Sequence, residues 1–90
     1  MDRIQAMQMF MRVAEAGSFV RAAETLSLPA STVTSTIKNL EKYLKVRLLN
    51  RTTRRVSLTP EGMQYLAQCR EILALIEHSE STLSESVARP

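Results

Sequence analysis

The chain has 90 residues, of which 44% are hydrophobic and 23% charged, with a formal net charge of +3 at neutral pH. That length allows one small domain, burying only about 60% of the surface its unfolded chain exposes, and the composition excludes general disorder. A single cysteine, Cys69, excludes an internal disulfide and a cysteine-rich metal site; no apolar run reaches the roughly 20 residues of a membrane span, and Arg12 and Glu15 interrupt any signal-peptide core. The protein is expected to stay in the cytoplasm, where it is made.

Ile4, Met7, Phe10, Met11 and Ala14 recur at three- and four-residue steps and predict a first amphipathic helix, which Gly17 ends. Met7, Met9 and Met11 read as core filling. Ser18 is the expected cap of a short second helix with Phe19, Ala22, Ala23 and Leu26 on one face. Leu28 before Pro29 breaks the pattern, and Pro29 suits the first turn of a third helix running to about Leu44, with Val33, Ile37, Leu40 and Leu44 on the core side.

The other face of that third helix is unusual. Ser31, Ser35, Lys38 and Lys42 fall nearly opposite the core stripe, flanked by Thr32, Thr34 and Asn39. "STVTST" is poor helix-forming sequence that a merely solvated surface would not favour. Small hydroxyls near a helix start let the backbone approach a phosphate or a base edge, where the helix dipole attracts an anion. The face suits entry into a nucleic-acid groove.

After it, "VRLLNRT" and "RRVSL" predict two brief strands with "TTR" near their connection, a basic hairpin of the kind that forms the wing of a winged helix-turn-helix. Thr59 as cap, Pro60 in the first turn and Glu61 then start a helix that meets no breaker before Pro90. On it Leu66, Cys69, Leu73, Ile76, Leu83 and Val87 follow a three-four alternation with Glu80 as the polar member, and Met63, Ile72 and Leu75 form a second stripe. About 28 helical residues extend roughly 40 Å, too long for so small a core to cover, so pairing with a second copy is expected. A long helix folded back on its own domain is the other reading, since its first half can pack internally.

Charge follows the same division. Residues 1–58 hold ten Lys and Arg against four Asp and Glu, whereas residues 59–90 hold two against five. Between 38 and 55, Lys38, Lys42, Lys45, Arg47, Arg51, Arg54 and Arg55 face only Glu41. The fold expected is mainly α: a winged helix-turn-helix over 1–58, then a long dimerisation helix over 59–90.

The runs "AEAGSFVRAAETLSL" and "STVTSTIKNLEKYLKVRLLNRTTRRVSLTPEG" carry three motifs in combination: "GSF..AAE.L", "I..LE..L" and "RLL.RTTRR.SLT..G". On these the chain resembles, over essentially its whole length, the N-terminal DNA-binding domain of LysR-type transcriptional regulators. The resemblance implies a homodimer, paired through its linker helix, that binds an interrupted inverted repeat of operator DNA and regulates transcription. It also implies an effector-sensing domain further along, missing from this chain, so that a small-molecule effector is expected only there and no cofactor here.

Carried over residue by residue, the resemblance puts Ala30, Ser31, Thr34 and Ser35 in the groove and makes Lys38, Thr32, Ser18 and Lys42 phosphate contacts. Arg51, Thr53, Arg54 and Arg55 belong to the wing, with an internal salt bridge as the alternative for Arg51. Leu66, Cys69, Leu73, Ile76 and Leu83 carry dimerisation. Family members often begin the recognition helix with Ser-Gln-Pro and add Ser-Arg one turn later. Here Pro29, Ala30 and Ser31, then Thr34 and Ser35, lack the long base-reading side chains. Hydroxyl or water-mediated contacts and DNA shape are expected to matter more.

The competing function is a winged helix that makes only protein contacts through its basic face. No carboxylate pair, metal cluster, phosphate loop or activated nucleophile points to an enzyme. His78 has no partners in motif spacing, Tyr43 and Tyr65 are too isolated to stack single strands, and Cys69 reads as apolar filler.

Overall fold

The computed structural model describes residues 1–51 and 55–88. Four helices and one two-stranded sheet follow in the order α1 (Arg3–Ala16), α2 (Phe19–Leu26), α3 (Ala30–Leu44), β1 (Leu49–Arg51), β2 (Val56–Leu58) and α4 (Pro60–Ala88). This is the winged helix-turn-helix with a long following helix that the sequence predicts.

The punctuation works as local chemistry requires. Asp2 caps α1 by accepting from the Gln5 amide at 3.2 Å, and Gly17 ends it in the left-handed region at φ 66°. Ser18 accepts from the Arg21 amide at 3.2 Å to start α2. α2 closes at Ser27, φ 55°, where the Leu28 amide donates back to the Ala23 carbonyl. That sharp left-handed turn sets α3 across α2.

α1, α2 and α3 enclose a core of Ala6, Met9, Phe10, Val13, Ala22, Ala23, Val33, Ile37 and Leu40, closed below by Leu48 and Leu49. Ala22 and Ala23, both buried, take little space between α2 and its neighbours. The α1 stripe is rotated from the sequence reading: Ala6, Met9 and Val13 join Phe10 inside, Met7, Met11 and Ala14 are half-buried, and Ile4 is exposed. α1 is covered on two sides, by α2 and α3 and by α4, so its buried arc is wider than one stripe and is centred between them.

In the antiparallel sheet Leu49 faces Leu58, Asn50 faces Ser57 and Arg51 faces Val56. Thr59 joins this ribbon to α4. Its amide donates to the Leu48 carbonyl at 3.0 Å, its hydroxyl donates to the Arg47 carbonyl at 2.6 Å, and the same oxygen accepts from the Gly62 amide at 2.9 Å. Thr59→Ala removes the cap and the hydroxyl tie to Arg47 together, leaving the backbone bond to Leu48. It is expected to cost about 1–2 kcal/mol in urea unfolding, and a loss under a few tenths would show that the cap is not needed.

The first half of α4 packs on α1, with Phe10 and Tyr65 ring centroids 5.6 Å apart. Here the dimer assignment needs correction: Leu66 and Cys69 are 8% and 0% exposed and belong to the domain's own core. Burial pushes the Cys69 thiol above its ordinary value, which suits apolar filler. Leu73 and Ile76 are half-buried, and every described side chain from Glu77 to Val87 is exposed. The fold-back reading thus holds for the first half of α4, while Leu75, Leu83 and Val87 stand 64%, 66% and 85% exposed beyond the core.

Candidate nucleic-acid interface

α3 presents the polar face the sequence predicts. Ser31, Thr32, Ser35, Lys38, Asn39 and Lys42 are exposed and Thr34 is half-buried, while Val33, Ile37 and Leu40 on the reverse face are fully buried. Ala30 differs from the expected groove-facing role in part, since it packs against the core. The start of α3 also stands apart from the other helices. Asp2, Ser18 and Thr59 cap α1, α2 and α4 with side-chain oxygens, whereas Pro29 at the α3 start offers no side-chain acceptor. The Ala30 and Ser31 amides thus have no side-chain cap, while the Thr32 amide donates to the Pro29 carbonyl at 3.0 Å, and small hydroxyls stand beside them.

Two basic surfaces accompany this face, one of them sharing its Lys38 and Lys42. At its C-terminal end Lys38, Lys42, Lys45, Arg47 and Arg51 surround Glu41 in a cleft of about 450 Å³. At the turn between α1 and α2, Ser18 and Arg21 share a polar hollow of about 530 Å³ with Arg55 from the ribbon. Ser18 is already committed as a cap, which uses its oxygen as acceptor and leaves its hydroxyl proton to donate. Thr53 and Arg54 lie outside the described residues.

Arg51 resolves to the internal alternative. Its Nη2 donates to Glu41 Oε1 at 2.8 Å, and its guanidinium carbon lies 5.5 Å from the centre of the Phe19 ring. Glu41, 8% exposed at its side chain, also accepts from the Leu48 and Leu49 amides through Oε2 at 2.8 and 3.2 Å, with Arg47 Nε 3.8 Å away. Burial pushes the Glu41 carboxyl up, but the Arg51 hydrogen bond, the two amides and the Arg51 charge outweigh it, so its pKa lies below the usual carboxylate value. The net effect holds Glu41 ionised. Arg51 is thus drawn away from the outer surface of the wing, correcting its assignment as a simple wing contact.

Arg21 escaped the sequence reading, while Lys45 and Arg47 were named there only as part of the basic run. Arg21 belongs to the α2 face turned toward β2, and helical periodicity says which residues share a face but not which element that face meets.

The model of the bacterial regulatory helix-turn-helix protein, lysR family, matches residues 4–63. The chain belongs to this LysR family. Among its relatives, it is 48% identical over all 90 residues to an HTH-type transcriptional repressor of Pseudomonas aeruginosa, of which it spans 28%. It is 44% identical over 79 residues to the HTH-type transcriptional regulator CrgA of Neisseria meningitidis, covering 88% of this chain and 26% of that one. This LysR-family chain therefore corresponds to about a quarter of the length of these relatives. Crystal structures of the BenM DBD with catB site 1 DNA and of the CbnR DBD–DNA complex superpose with TM-scores of 0.93 and 0.88, at 28% and 35% identity. They cover 97% and 96% of this chain and 97% and 98% of theirs.

Proposed function

We propose that this chain is the duplex-DNA-binding and dimerising part of a LysR-type transcriptional regulator, acting on an interrupted inverted repeat. The observation that carries the reading is the hydroxyl-lined face of α3, whose start has no side-chain cap, continuous with the basic cleft of Lys38, Lys42, Lys45 and Arg47. In this reading residues 1–58 bind DNA. Ser31, Thr34 and Ser35 approach base edges, partly through water, with Ala30 at the margin of the groove. Thr32, Lys38, Lys42 and Ser18 hold phosphates, and Arg55, together with Thr53 and Arg54, supplies the wing.

Residues 59–90 hold the linker and dimerisation helix, of which Pro60–Ala88 is α4. With Leu66 and Cys69 committed to the core, the pairing surface starts at Leu73 and Ile76, half-buried beside exposed Ile72 and Leu75, and continues through Leu83. Joining two copies there covers apolar side chains the domain cannot cover itself. The relatives' greater length supports a further effector-sensing domain in the whole protein. Among the described residues no helix is long and apolar enough to cross a membrane, and a cytoplasmic regulator fits that.

Salt separates this function from a protein-only adaptor. A dimer neutralising about six to ten phosphates loses roughly three to five decades of affinity between 50 and 200 mM salt. Arg55→Ala is expected to weaken binding to every duplex alike by about 1–3 kcal/mol, whereas Thr34→Ala or Ser35→Ala changes which operator is preferred. Anisotropy titrations against several duplexes check both, and equal losses on every sequence from all three variants would sink the division of roles.

A further inference from the structure

Glu41 and Arg51 join three elements that the proposed function needs in a fixed relation. Glu41 lies in the last turn of α3, and its carboxylate receives both amides that lead into β1. Arg51 is the last residue of β1. It donates to the other oxygen of that carboxylate and leans on Phe19, the first residue of α2. One buried carboxylate therefore ties the polar helix to the root of the ribbon, and one guanidinium carries the tie to the element bearing Ser18 and Arg21.

Net stability is a poor explanation for this pair. Burying two charges costs several kcal/mol of hydration per ion, and apolar pairs of similar volume often serve stability as well or better. Arg51 Nε is buried without a hydrogen-bond partner, a further cost. What the pair supplies and an apolar contact does not is direction, because charge-assisted hydrogen bonds hold their groups within a narrow range of distance and angle. The ribbon needs such direction: it consists of two three-residue strands, and a two-stranded ribbon is marginal by itself.

We propose that Glu41 and Arg51 are positioning residues that set the angle between the α3 face and the β1–β2 ribbon, so that helix and wing engage one duplex together. This rests on the duplex-binding reading above. Arg51 then acts on DNA through Arg55 and the rest of the wing, and its loss removes the wing's contribution while leaving that of α3.

The test compares Arg51→Met, Arg55→Ala and the double variant on a duplex selected with the unaltered chain, at a temperature where circular dichroism shows all four folded. Arg51→Met is expected to weaken binding about tenfold. Hydroxyl-radical protection of the sugars flanking the site should disappear while guanine and adenine N7 protection in its major groove remains. Arg55→Ala should then add less than about twofold on top of Arg51→Met, since coupled residues are not additive.

Amide exchange of Glu41→Gln in the free protein gives a readout that needs no DNA. Leu48 and Leu49 amides should exchange about tenfold or more faster while Phe10 and Val13 keep their protection. Even loss of both kinds of footprint, additive effects of the two arginine variants, or exchange rising equally at Phe10 and Val13 would overturn the proposal in favour of a purely structural pair. An unaltered chain protecting no duplex at low salt would instead remove the duplex reading, and the exchange pattern then decides the positioning claim by itself.

Discussion

Glu41→Ala is expected to destabilise the folded chain by about 3 kcal/mol, the low end for breaking a buried pair, because it leaves the half-buried Arg51 guanidinium, 23% exposed at its side chain, without its counter-charge. The Leu48 and Leu49 amides lose their acceptor in the same step. Domains of this kind are stable by about 5–15 kcal/mol in all, so the loss is a large share of the total. Urea unfolding measures it directly, and a change below about 1 kcal/mol would mean that water replaces the carboxylate without penalty. Glu41→Gln, which keeps an acceptor for the amides and loses only the charge, should fall between the variant and the unaltered chain.

The same group makes stability depend on pH in a known direction. Its pKa is lowered from the ordinary 4.5 in the folded chain, so the unfolded chain takes up a proton first as the solution is acidified. The carboxylate's contribution is complete above 4.5 and is lost as the pH falls through the folded-state value below it. Melting temperature should drop through this window less steeply in Glu41→Gln than in the unaltered chain. Parallel curves would show that other carboxyls carry the acid sensitivity.

The second large effect is at Gly62. A Cβ there would run into the Leu48 carbonyl oxygen, with the Leu48 carbonyl carbon at 2.9 Å and Leu58 Cδ2 at 3.2 Å. The obstacle is mostly backbone, which a rotamer change cannot relieve. Gly62→Ala must therefore push the first turn of α4 off Leu48 and strain the bonds Thr59 makes to Arg47 and Leu48. A loss of about 3 kcal/mol is expected, exceeding the gain in helix propensity of up to about 1 kcal/mol. Gly17→Ala is the informative comparison. Nothing lies within 4 Å of a Cβ there, and only the left-handed φ of 66° opposes it, so about 1–2 kcal/mol is expected. If the two variants unfold alike in urea, the close approach of α4 to the Leu48 backbone does not matter.

These two positions mark where the sequence was legible and where it was not. Helix ends could be read because their causes are local: Gly17, Ser18 and Thr59 each act on the few residues beside them. The polar face of α3 was equally legible, since periodicity alone separates Ser31, Ser35, Lys38 and Lys42 from Val33, Ile37 and Leu40. Glu41, by contrast, looked like the one acid in a basic run. Its role depends on chain that returns seven to ten residues later. The rotation of the α1 stripe and the burial of Leu66 and Cys69 have a similar origin. An apolar seam looks the same whether a neighbouring helix or a second copy covers it, and α1 reaches the first part of that seam.

The division of labour along α4 follows from this packing. Its first turns complete the core through Leu66 and Cys69 and pack on α1 and β2, while the apolar side chains beyond them stay uncovered. Under the proposed function, the contacts of Thr59 and Gly62 with Arg47 and Leu48 would pass the spacing of a dimer to the two α3 faces, which would meet half-sites about one helical turn of DNA, roughly 34 Å, apart.

The central claim is most directly tested by titrating the 90-residue chain against a randomised duplex pool by fluorescence anisotropy at two salt concentrations, and sequencing the bound fraction. The account predicts enrichment of a two-fold-symmetric, interrupted motif and affinity that falls steeply with salt. A folded, dimeric chain that enriches no motif and binds weakly at both salts would contradict it.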